Sequence, residues 1–173
     1  GKMAAAEIRG VQSRGVGTSM KHFACNNQEF NRMSCSSEMS ERTLREIYLK
    51  SFEIAVKEGK PASVMCAYNK INGVHASDNE WLLTDILREE WGFDGLVVTD
   101  WGAMNDRIEG FRAGCDLNMP GGSNYMGGAC AEAVRSGKLS EEDINRSARR
   151  VLTLMAKASE ARKEKAGCDF DAH

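Results

Sequence analysis

The stretch of residues 95–106, GLVVTDWGAMND, decides the fold of this chain. Its first part, Leu96–Thr99, is an uninterrupted β-rich run, which is typical of a strand buried on both faces in a parallel sheet. The run ends at Asp100, and a helix is predicted over residues 103–112. Open α/β sheets and (β/α) barrels bind ligands at this end of their strands, which makes Asp100 a candidate site residue. The alternative interpretation is that Asp100 only caps the following helix, because aspartate is favoured at N-caps.

The composition of the 173 residues is that of an ordinary globular protein, with 42% hydrophobic and 28% charged residues. Acidic and basic residues are interleaved to a net charge of −2, so there is no electrostatic basis for binding nucleic acid or an anionic membrane. No run approaches the roughly 18 apolar residues of a membrane span. The six cysteines form no CxxC pair, so we expect no metal site. Free cysteines and the lack of a visible export signal predict a cytoplasmic protein.

Strand and helix patterns alternate along the chain, which predicts parallel strands joined by helical crossovers. Ser40 is a predicted N-cap, and the chain opens within a helical pattern in which Met3, Ile8 and Val11 share one face. Two further apolar stripes consist of Leu44, Ile47, Tyr48, Phe52 and Val56, and of Leu82, Leu83, Ile86 and Leu87. The predicted strands cover residues 16–25, 62–68, 96–99 and 113–119, and the predicted helices cover residues 1–15, 41–58, 79–91, 103–112, 129–136 and 140–161.

Four strand–helix units fit either a small doubly wound α/β sheet or half of an eight-stranded (β/α)8 barrel of the TIM type. The half barrel is favoured because the chain begins within a pattern and because each strand ends in polar or aromatic residues, which would gather on one catalytic face. Those residues are Lys21 with His22, Tyr68 with Asn69, Asp100 with Trp101, and Asp116 with Asn118.

Taken singly, the candidate site residues also have simpler interpretations. Arg32, in the loop after the first strand, is a solvated surface charge on this interpretation, and Met65, Tyr68 and Trp101 are packing residues. A lysine–histidine pair at a strand end offers donors for hydroxyl groups when it points into a cleft. The residues alone leave these alternatives open.

Four segments, in this order along the chain, carry a resemblance to a known family. They are KHFACNNQEFNR (residues 21–32), SERTLREIYLKSFEIAVKEG (40–59), VMCAYNKINGVHASDNEWLLTDILREEWGFDGLVVTDWG (64–102) and AGCDLNMPGG (113–122). The chain resembles glycoside hydrolase family 3, in its β-glucosidase branch. The β-N-acetylglucosaminidase branch of that family carries a KHFPGHG loop where this chain has KHFACNN, which argues against that branch.

The resemblance implies a (β/α)8 barrel that hydrolyses terminal non-reducing β-D-glucosyl residues by a retaining mechanism, with Asp100 as nucleophile. Such a reaction passes through a covalent glycosyl-enzyme, and the resemblance implies no metal or other cofactor. The sugar-binding residues that it implies are Lys21, His22 and Arg32 on the hydroxyl groups, Tyr68 beside the nucleophile, Trp101 against the sugar and Met65 nearby.

The resemblance also implies that the catalytic unit is larger than this chain. Residues 1–163 correspond to the C-terminal part of the barrel domain, and residues 164–173 to the start of a linker to a second α/β domain that supplies the general acid/base. The first barrel strands would precede residue 1. We therefore expect little or no hydrolysis by the 173 residues alone, because one carboxylate cannot both attack and protonate.

Two hypotheses from other classes stay open at this point. A phosphosugar aldolase or isomerase barrel would use Lys21 as a Schiff-base amine and the glycine-rich loop of residues 120–128 as a phosphate cradle, although that loop contains no basic residue. A non-catalytic half barrel would be an interaction unit that buries its open sheet edges against a second copy or a complementary fragment.

Overall fold

The computed structural model describes residues 1–121 and 124–163. The predicted linker at residues 164–173 lies outside the described residues, and so do residues 122–123 of the glycine-rich loop. The strands are β1 (Ser19–Phe23), β2 (Ser36–Ser37), β3 (Ser63–Cys66), β4 (Lys70–Ile71), β5 (Val74–His75) and β6 (Leu96–Thr99). The main helices are α1 (Lys2–Gln12), α2 (a helical segment over residues 41–59), α3 (Trp81–Glu90), α4 (Arg107–Ala113), α5 (Asn124–Arg135) and α6 (Glu141–Lys163).

The main sheet is parallel and has the order β1–β3–β6. Its register pairs Ser63 with Leu96 and Cys66 with Thr99. The predicted fourth strand is reduced to a single parallel bridge between Val98 and Leu117, because α4 extends to Ala113 and leaves only a short segment beside β6. Neighbours in the sheet are also successive along the chain, without a reversal of order, which is the arrangement of a barrel segment rather than of a doubly wound sheet. The predicted α/β class with parallel strands and flanking helices is confirmed.

The hydrophobic core lies between one face of this sheet and the helices that follow its strands. Phe23 packs edge-on against Phe52 and Trp91, with ring centroids 5.2 and 5.8 Å apart. Each fully buried leucine contributes about 1.5–3 kcal/mol of transfer free energy. The stripe predicted for α3 is confirmed, since all four of its members are fully buried: Leu82, Leu83, Ile86 and Leu87.

The stripe predicted for α2 is wrong at one position. Ile47 is exposed, whereas Leu49, outside the predicted stripe, is almost fully buried. The cause is a wider helical turn, in which the Leu49 amide donates to the carbonyl of Leu44, five residues earlier. Ser40 caps the helix as predicted, with its hydroxyl accepting from the Thr43 amide.

The face predicted for α1 is also partly wrong, because Met3 and Val11 are exposed and only Ile8 of the three is buried. The contact with α2 is made instead by small residues. A Cβ at Gly59 would lie 3.0 Å from the Cα of Ala5, so the two helices approach too closely there for a larger side chain. Among the described residues, no helix is long and apolar enough to cross a membrane.

Candidate active site

Asp100 lies at the carboxyl end of the buried strand β6. Its backbone amide donates to the carbonyl of Cys66 on the neighbouring strand at 3.3 Å. The carboxylate is held at both oxygens, because Oδ1 accepts from the Trp101 amide at 2.7 Å and Oδ2 lies 3.1 Å from Nε2 of His22. The side chain is 15% exposed, so one side of the carboxylate is open to a ligand.

The alternative interpretation of Asp100 as a helix cap is wrong. The helix after β6 begins at Arg107 instead of residue 103, and its N-cap is Asp106. The Asp106 carboxylate accepts from the amides of Ile108 and Glu109 at 2.8 and 3.2 Å. Asp100 is therefore not used to start the helix, and its hydrogen bonds all lie within the strand-end region.

His22 donates to Asp100 as a neutral imidazole. Burial lowers the pKa of His22 below its usual 6.5, and the charges of Lys21 and Arg32 lower it further, while the Asp100 carboxylate raises it. The net shift is downward, so the ring is uncharged near pH 7 with its proton on Nε2. The contact between His22 and Asp100 is a hydrogen bond at that pH rather than an ion pair.

A tight turn presents Trp101 at the surface. The Ala103 amide donates to the carbonyl of Asp100 at 3.0 Å, and Gly102 has a φ of 77°, a conformation that favours glycine. The Gly102 amide donates to the carbonyl of Met119 at 2.9 Å, which ties the turn to the segment beside β6. The Trp101 indole is left 52% exposed next to the carboxylate.

Tyr68 and Arg32 complete the group of residues around Asp100. The Tyr68 hydroxyl donates to the carbonyl of Trp101 at 2.9 Å. Burial raises the pKa of Tyr68, and the neighbouring Asp100 carboxylate raises it further. The guanidinium of Arg32 lies 4.7 Å from the centre of the Tyr68 ring and forms an ion pair with Glu29 at 3.1 Å. A stacked guanidinium over a ring is a stabilising cation–π contact.

The two remaining predicted site residues lie on the strands next to this group. Lys21 is exposed beside His22, and its charge helps to lower the pKa of His22. Met65 lies on β3, half-buried and in register with Val98 of β6. The structure thus brings His22, Arg32, Tyr68, Asp100 and Trp101 into one connected group and places Lys21 and Met65 at its edge.

Two of the predicted strand-end residues do not belong to this face. Asp116 is buried and accepts from Arg88, from Arg150 and from the Val97 amide at 2.8, 2.9 and 2.8 Å. It lies at the start of the segment beside β6, which places it at the opposite end from Asp100. Asn69 is also fully buried, and its side-chain amide donates to the carbonyl of Lys70 at 3.0 Å.

Sequence reasoning gave no role to Thr99, which is fully buried at the end of β6. Its hydroxyl accepts from the Met119 amide at 2.8 Å, and its own amide donates to the carbonyl of Leu117 at 2.9 Å. Thr99 therefore fixes the segment that holds the Gly102 amide. The signal available in the sequence was a single polar residue within an otherwise apolar buried run.

The described residues contain no group of three or more histidine, cysteine or acidic side chains placed to hold a metal ion. A cavity of about 390 Å³ lies at the other end of the sheet, where it is lined by Gly17, Ala62, Gly95 and residues of α6. That end carries the amino termini of the strands, where (β/α) folds do not place their catalytic groups.

A parallel α/β sheet that presents a carboxylate, an exposed indole and several hydrogen-bond donors at its strand ends has the features of an α/β glycosidase. Comparison with protein families identifies which one: residues 1–154 match the model described as "Glycosyl hydrolase family 3 N terminal domain". The chain belongs to this family, which confirms the resemblance found in the sequence.

Individual relatives agree with this assignment. The chain is 54% identical over 172 residues to the thermostable beta-glucosidase B of Acetivibrio thermocellus, covering 99% of this chain and 23% of that protein. It is 47% identical over 167 residues to an exo-alpha-(1->6)-L-arabinopyranosidase of Bifidobacterium longum, covering 96% and 22%. The structure of beta-glucosidase 3B from Thermotoga neapolitana in complex with alpha-D-glucose superposes with a TM-score of 0.89 at 47% identity, covering 98% and 25%. This chain therefore spans about a quarter of the length of the proteins that it matches.

Proposed function

We propose that this chain is the nucleophile-bearing part of a retaining β-glucosidase and that Asp100 is the nucleophile. The observation that carries the proposal is the Asp100 carboxylate, which ends a buried strand, remains 15% exposed and has a donor on each oxygen. Membership of family 3 and relatives named beta-glucosidase support the reaction class.

In the first step of such a reaction, an oxygen of Asp100 forms a bond to the anomeric carbon as the bond to the leaving oxygen breaks and that oxygen is protonated. Water then releases the sugar from the covalent intermediate. The hydrogen bonds from Trp101 and His22 orient the carboxylate before the attack, which reduces the reorganisation that the reaction needs. Because the lowered pKa of His22 keeps its ring neutral, Asp100 retains an unpaired negative charge for the attack.

We assign the glycone subsite to the donors and aromatic surfaces around the nucleophile. Tyr68 and Arg32 are already in contact, and Tyr68 is bonded to the Trp101 backbone, so three elements converge on one point beside Asp100. Hydroxyl groups of a sugar can accept from guanidinium, ammonium and imidazole donors, and an exposed indole can pack against its ring. The proposed subsite consists of Lys21, His22, Arg32, Met65, Tyr68 and Trp101.

We propose that the general acid/base lies outside this chain. A retaining glycosidase needs a second carboxyl group about 5 to 5.5 Å from the nucleophile. Glu29 acts electrostatically on His22 and Tyr68, but it is 84% exposed and paired with Arg32, which suits a surface role rather than that of a proton donor. The short span of this chain within its relatives is consistent with an acid/base supplied elsewhere.

We also propose that residues 1–163 form the C-terminal half of a (β/α)8 barrel. The parallel order β1–β3–β6, with Leu117 beside β6, supports this arrangement. The open edge at β1 would then be covered by strands that precede this chain in the complete domain. The 173 residues alone are expected to show no turnover of an aryl β-glucoside above the rate of an Asp100→Asn variant, and clear wild-type turnover would contradict this division of the site.

The test of the nucleophile is mass spectrometry of the full-length protein after exposure to a 2-deoxy-2-fluoro-β-glucoside, which slows the release of a glycosyl-enzyme. Trypsin yields one peptide over residues 89–107 that contains Asp94, Asp100 and Asp106, so fragmentation must locate the sugar within it. A sugar on Asp100 supports the proposal. A sugar on another residue, or no adduct on a folded protein that hydrolyses glucosides, would overturn the assignment.

The glycone needs a separate test, because an arabinopyranosidase is as similar to this chain as several glucosidases are. The value of kcat/KM is measured for aryl β-D-glucoside, β-D-xyloside and α-L-arabinopyranoside under one set of conditions. We expect the glucoside to be preferred. A higher kcat/KM for the arabinopyranoside would keep the retaining mechanism and Asp100 but replace the substrate.

A further inference from the structure

The loop that carries Trp101 has a second support, remote from the nucleophile, at a short turn over Ala76–Asp78. The Asp78 carboxylate accepts from the Asn105 side chain at 2.7 Å on one oxygen and from the Asp106 amide at 3.5 Å on the other. The Ser77 hydroxyl, which is fully buried, points at both the Asp78 carboxylate and the carbonyl of Ala103, at 2.8 and 3.2 Å. We call these five residues (Ser77, Asp78, Ala103, Asn105 and Asp106) the Asp78 latch.

From these contacts we infer that Asp78 is a positioning residue for Trp101, and this inference rests on the proposed glycosidase function. Asp78 touches neither the nucleophile nor the indole. It acts on the backbone of the loop between them and α4, and that backbone determines where the half-exposed indole lies.

The latch joins two parts of the structure that are otherwise well anchored. On one side, Ala76 and Ser77 are fully buried, and the Ala76 amide donates to the carbonyl of Asn69. On the other side, Asp106 caps α4, and the buried Met104 packs against Gly110, with its sulfur 3.0 Å from where a Cβ would lie. The Asp78 carboxylate is thus the connection between a fixed turn and the loop that follows the nucleophile.

The Trp101 end of the loop is held through hydrogen bonds of its backbone. Tyr68 donates to the Trp101 carbonyl, and the Gly102 amide donates to Met119. The Asp78 carboxylate holds the other end of the loop at Asn105 and Asp106, four and five residues after Trp101. Loss of the Asp78 carboxylate would remove the bonds to the Asn105 side chain and the Asp106 amide, while Ala103 keeps its bond to Asp100 and Asp106 still caps α4. We expect the loop to shift within these remaining contacts and to move the indole from the position in which it packs against a sugar, while Asp100 keeps its own hydrogen bonds to His22 and the Trp101 amide.

The test is a double-mutant cycle in the full-length protein with Asp78→Ala and Trp101→Ala, read as kcat/KM for an aryl β-glucoside. We expect Asp78→Ala alone to lower kcat/KM by about 3- to 10-fold, mainly by raising KM, and to have almost no effect in the Trp101→Ala background. Asp78→Asn should recover most of the activity, because its amide oxygen can still accept from Asn105 and the Ser77 hydroxyl can donate to the carbonyl of Ala103 instead. Equal losses in both backgrounds would show that Asp78 does not act through Trp101.

Asp143→Ala is the matched control, because Asp143 is also an aspartate near the start of a helix whose carboxylate accepts a short hydrogen bond, here from Arg146 at 2.7 Å on α6. Asp143→Ala should leave kcat/KM unchanged both in the wild-type and in the Trp101→Ala background. The Trp101 signal in fluorine NMR of protein labelled with 5-fluorotryptophan, identified as the one absent in Trp101→Phe, gives a readout that does not need activity. A shift or broadening in Asp78→Ala but not in Asp143→Ala supports the inference even if the protein hydrolyses no glycoside. An unmoved Trp101 signal would refute it, whatever the activity.

Discussion

Asp100 and Asp116 are two aspartates that the sequence places at the ends of neighbouring strands, yet their surroundings are opposite. Asp100 has neutral donors, the His22 imidazole and the Trp101 amide, and it remains partly exposed. Asp116 has no exposed side-chain surface and is bound by two guanidinium groups, those of Arg88 and Arg150.

The difference shows which carboxylates are free to react. Asp116 lies between Arg88, whose side chain is 8% exposed, and Arg150, whose side chain is 19% exposed, so its charge is compensated and its loss would leave the Arg88 cation unpaired in the interior. A carboxylate oriented by neutral hydrogen bonds at the rim of a sheet keeps both its charge and its access to a ligand. Asp116 therefore contributes to the fold and Asp100 is available for chemistry, although both follow from the same strand-end pattern.

The largest effect is expected from removing the charge of the exposed carboxylate. Asp100→Asn should lower kcat in the full-length protein by about 1,000-fold or more, because the amide cannot form the glycosyl bond. Its free energy of unfolding should change by less than about 1 kcal/mol, since the amide oxygen can accept from the Trp101 amide and the neutral His22 ring can accept from the amide nitrogen in its other tautomer. Steady-state kinetics and urea unfolding of the same preparation measure the two quantities.

The converse effect is expected at the buried carboxylate. Asp116→Asn should lower the free energy of unfolding by about 3–5 kcal/mol, because it leaves Arg88, whose side chain is 8% exposed, without its charge partner. The activity of the molecules that remain folded should stay within a few-fold of wild type. If instead Asp116→Asn were stable and inactive while Asp100→Asn was unstable and active, the two roles would have to be exchanged.

This pair also shows how far the sequence could predict the structure. The buried run Leu96–Thr99 and the alternation of strands with helices predict the parallel sheet. A strand that is buried on both faces is visible in the sequence as an uninterrupted run of apolar residues. The family motifs point to Asp100. Local patterns could not separate Asp116 from Asp100, because the partners of Asp116, Arg88 and Arg150, are 28 and 34 residues away along the chain.

Two other features that the sequence misplaced have local causes. The stripe on α2 shifts because one wider turn moves Leu49 inward in place of Ile47, and helical periodicity assumes regular turns. The helix after Asp100 starts four residues late because Asp106, rather than Asp100, has the capping geometry. Both aspartates fit the sequence rule for a cap, and only the hydrogen bonds distinguish them.

A smaller effect is expected at the turn that presents Trp101. Gly102→Ala should lower the free energy of unfolding by about 1–2 kcal/mol, because a φ of 77° strains a residue with a Cβ although no atom lies within 4 Å of it. Gly10→Ala is the matched control, since that glycine is helical, also has open space around its Cβ position and should gain about 0.5–1 kcal/mol. Equal changes at the two glycines would contradict the role of the turn geometry.

The smallest effect concerns pH and the donor to Asp100. Burial holds the pKa of folded His22 below 6.5, so the unfolded chain takes up a proton that the folded chain resists, and stability that is complete above pH 6.5 is lost as the pH falls below it. Urea unfolding at pH 7.5 and 5.5 should show a smaller loss in His22→Gln than in wild type. Asp100→Asn should show a larger loss, because the Asp100 charge raises the pKa of His22 and its removal lets that pKa fall further. A smaller loss of stability in Asp100→Asn would mean that Asp100 holds His22 as a cation. The assignment of a neutral hydrogen bond, which distinguishes Asp100 from Asp116, would then be wrong.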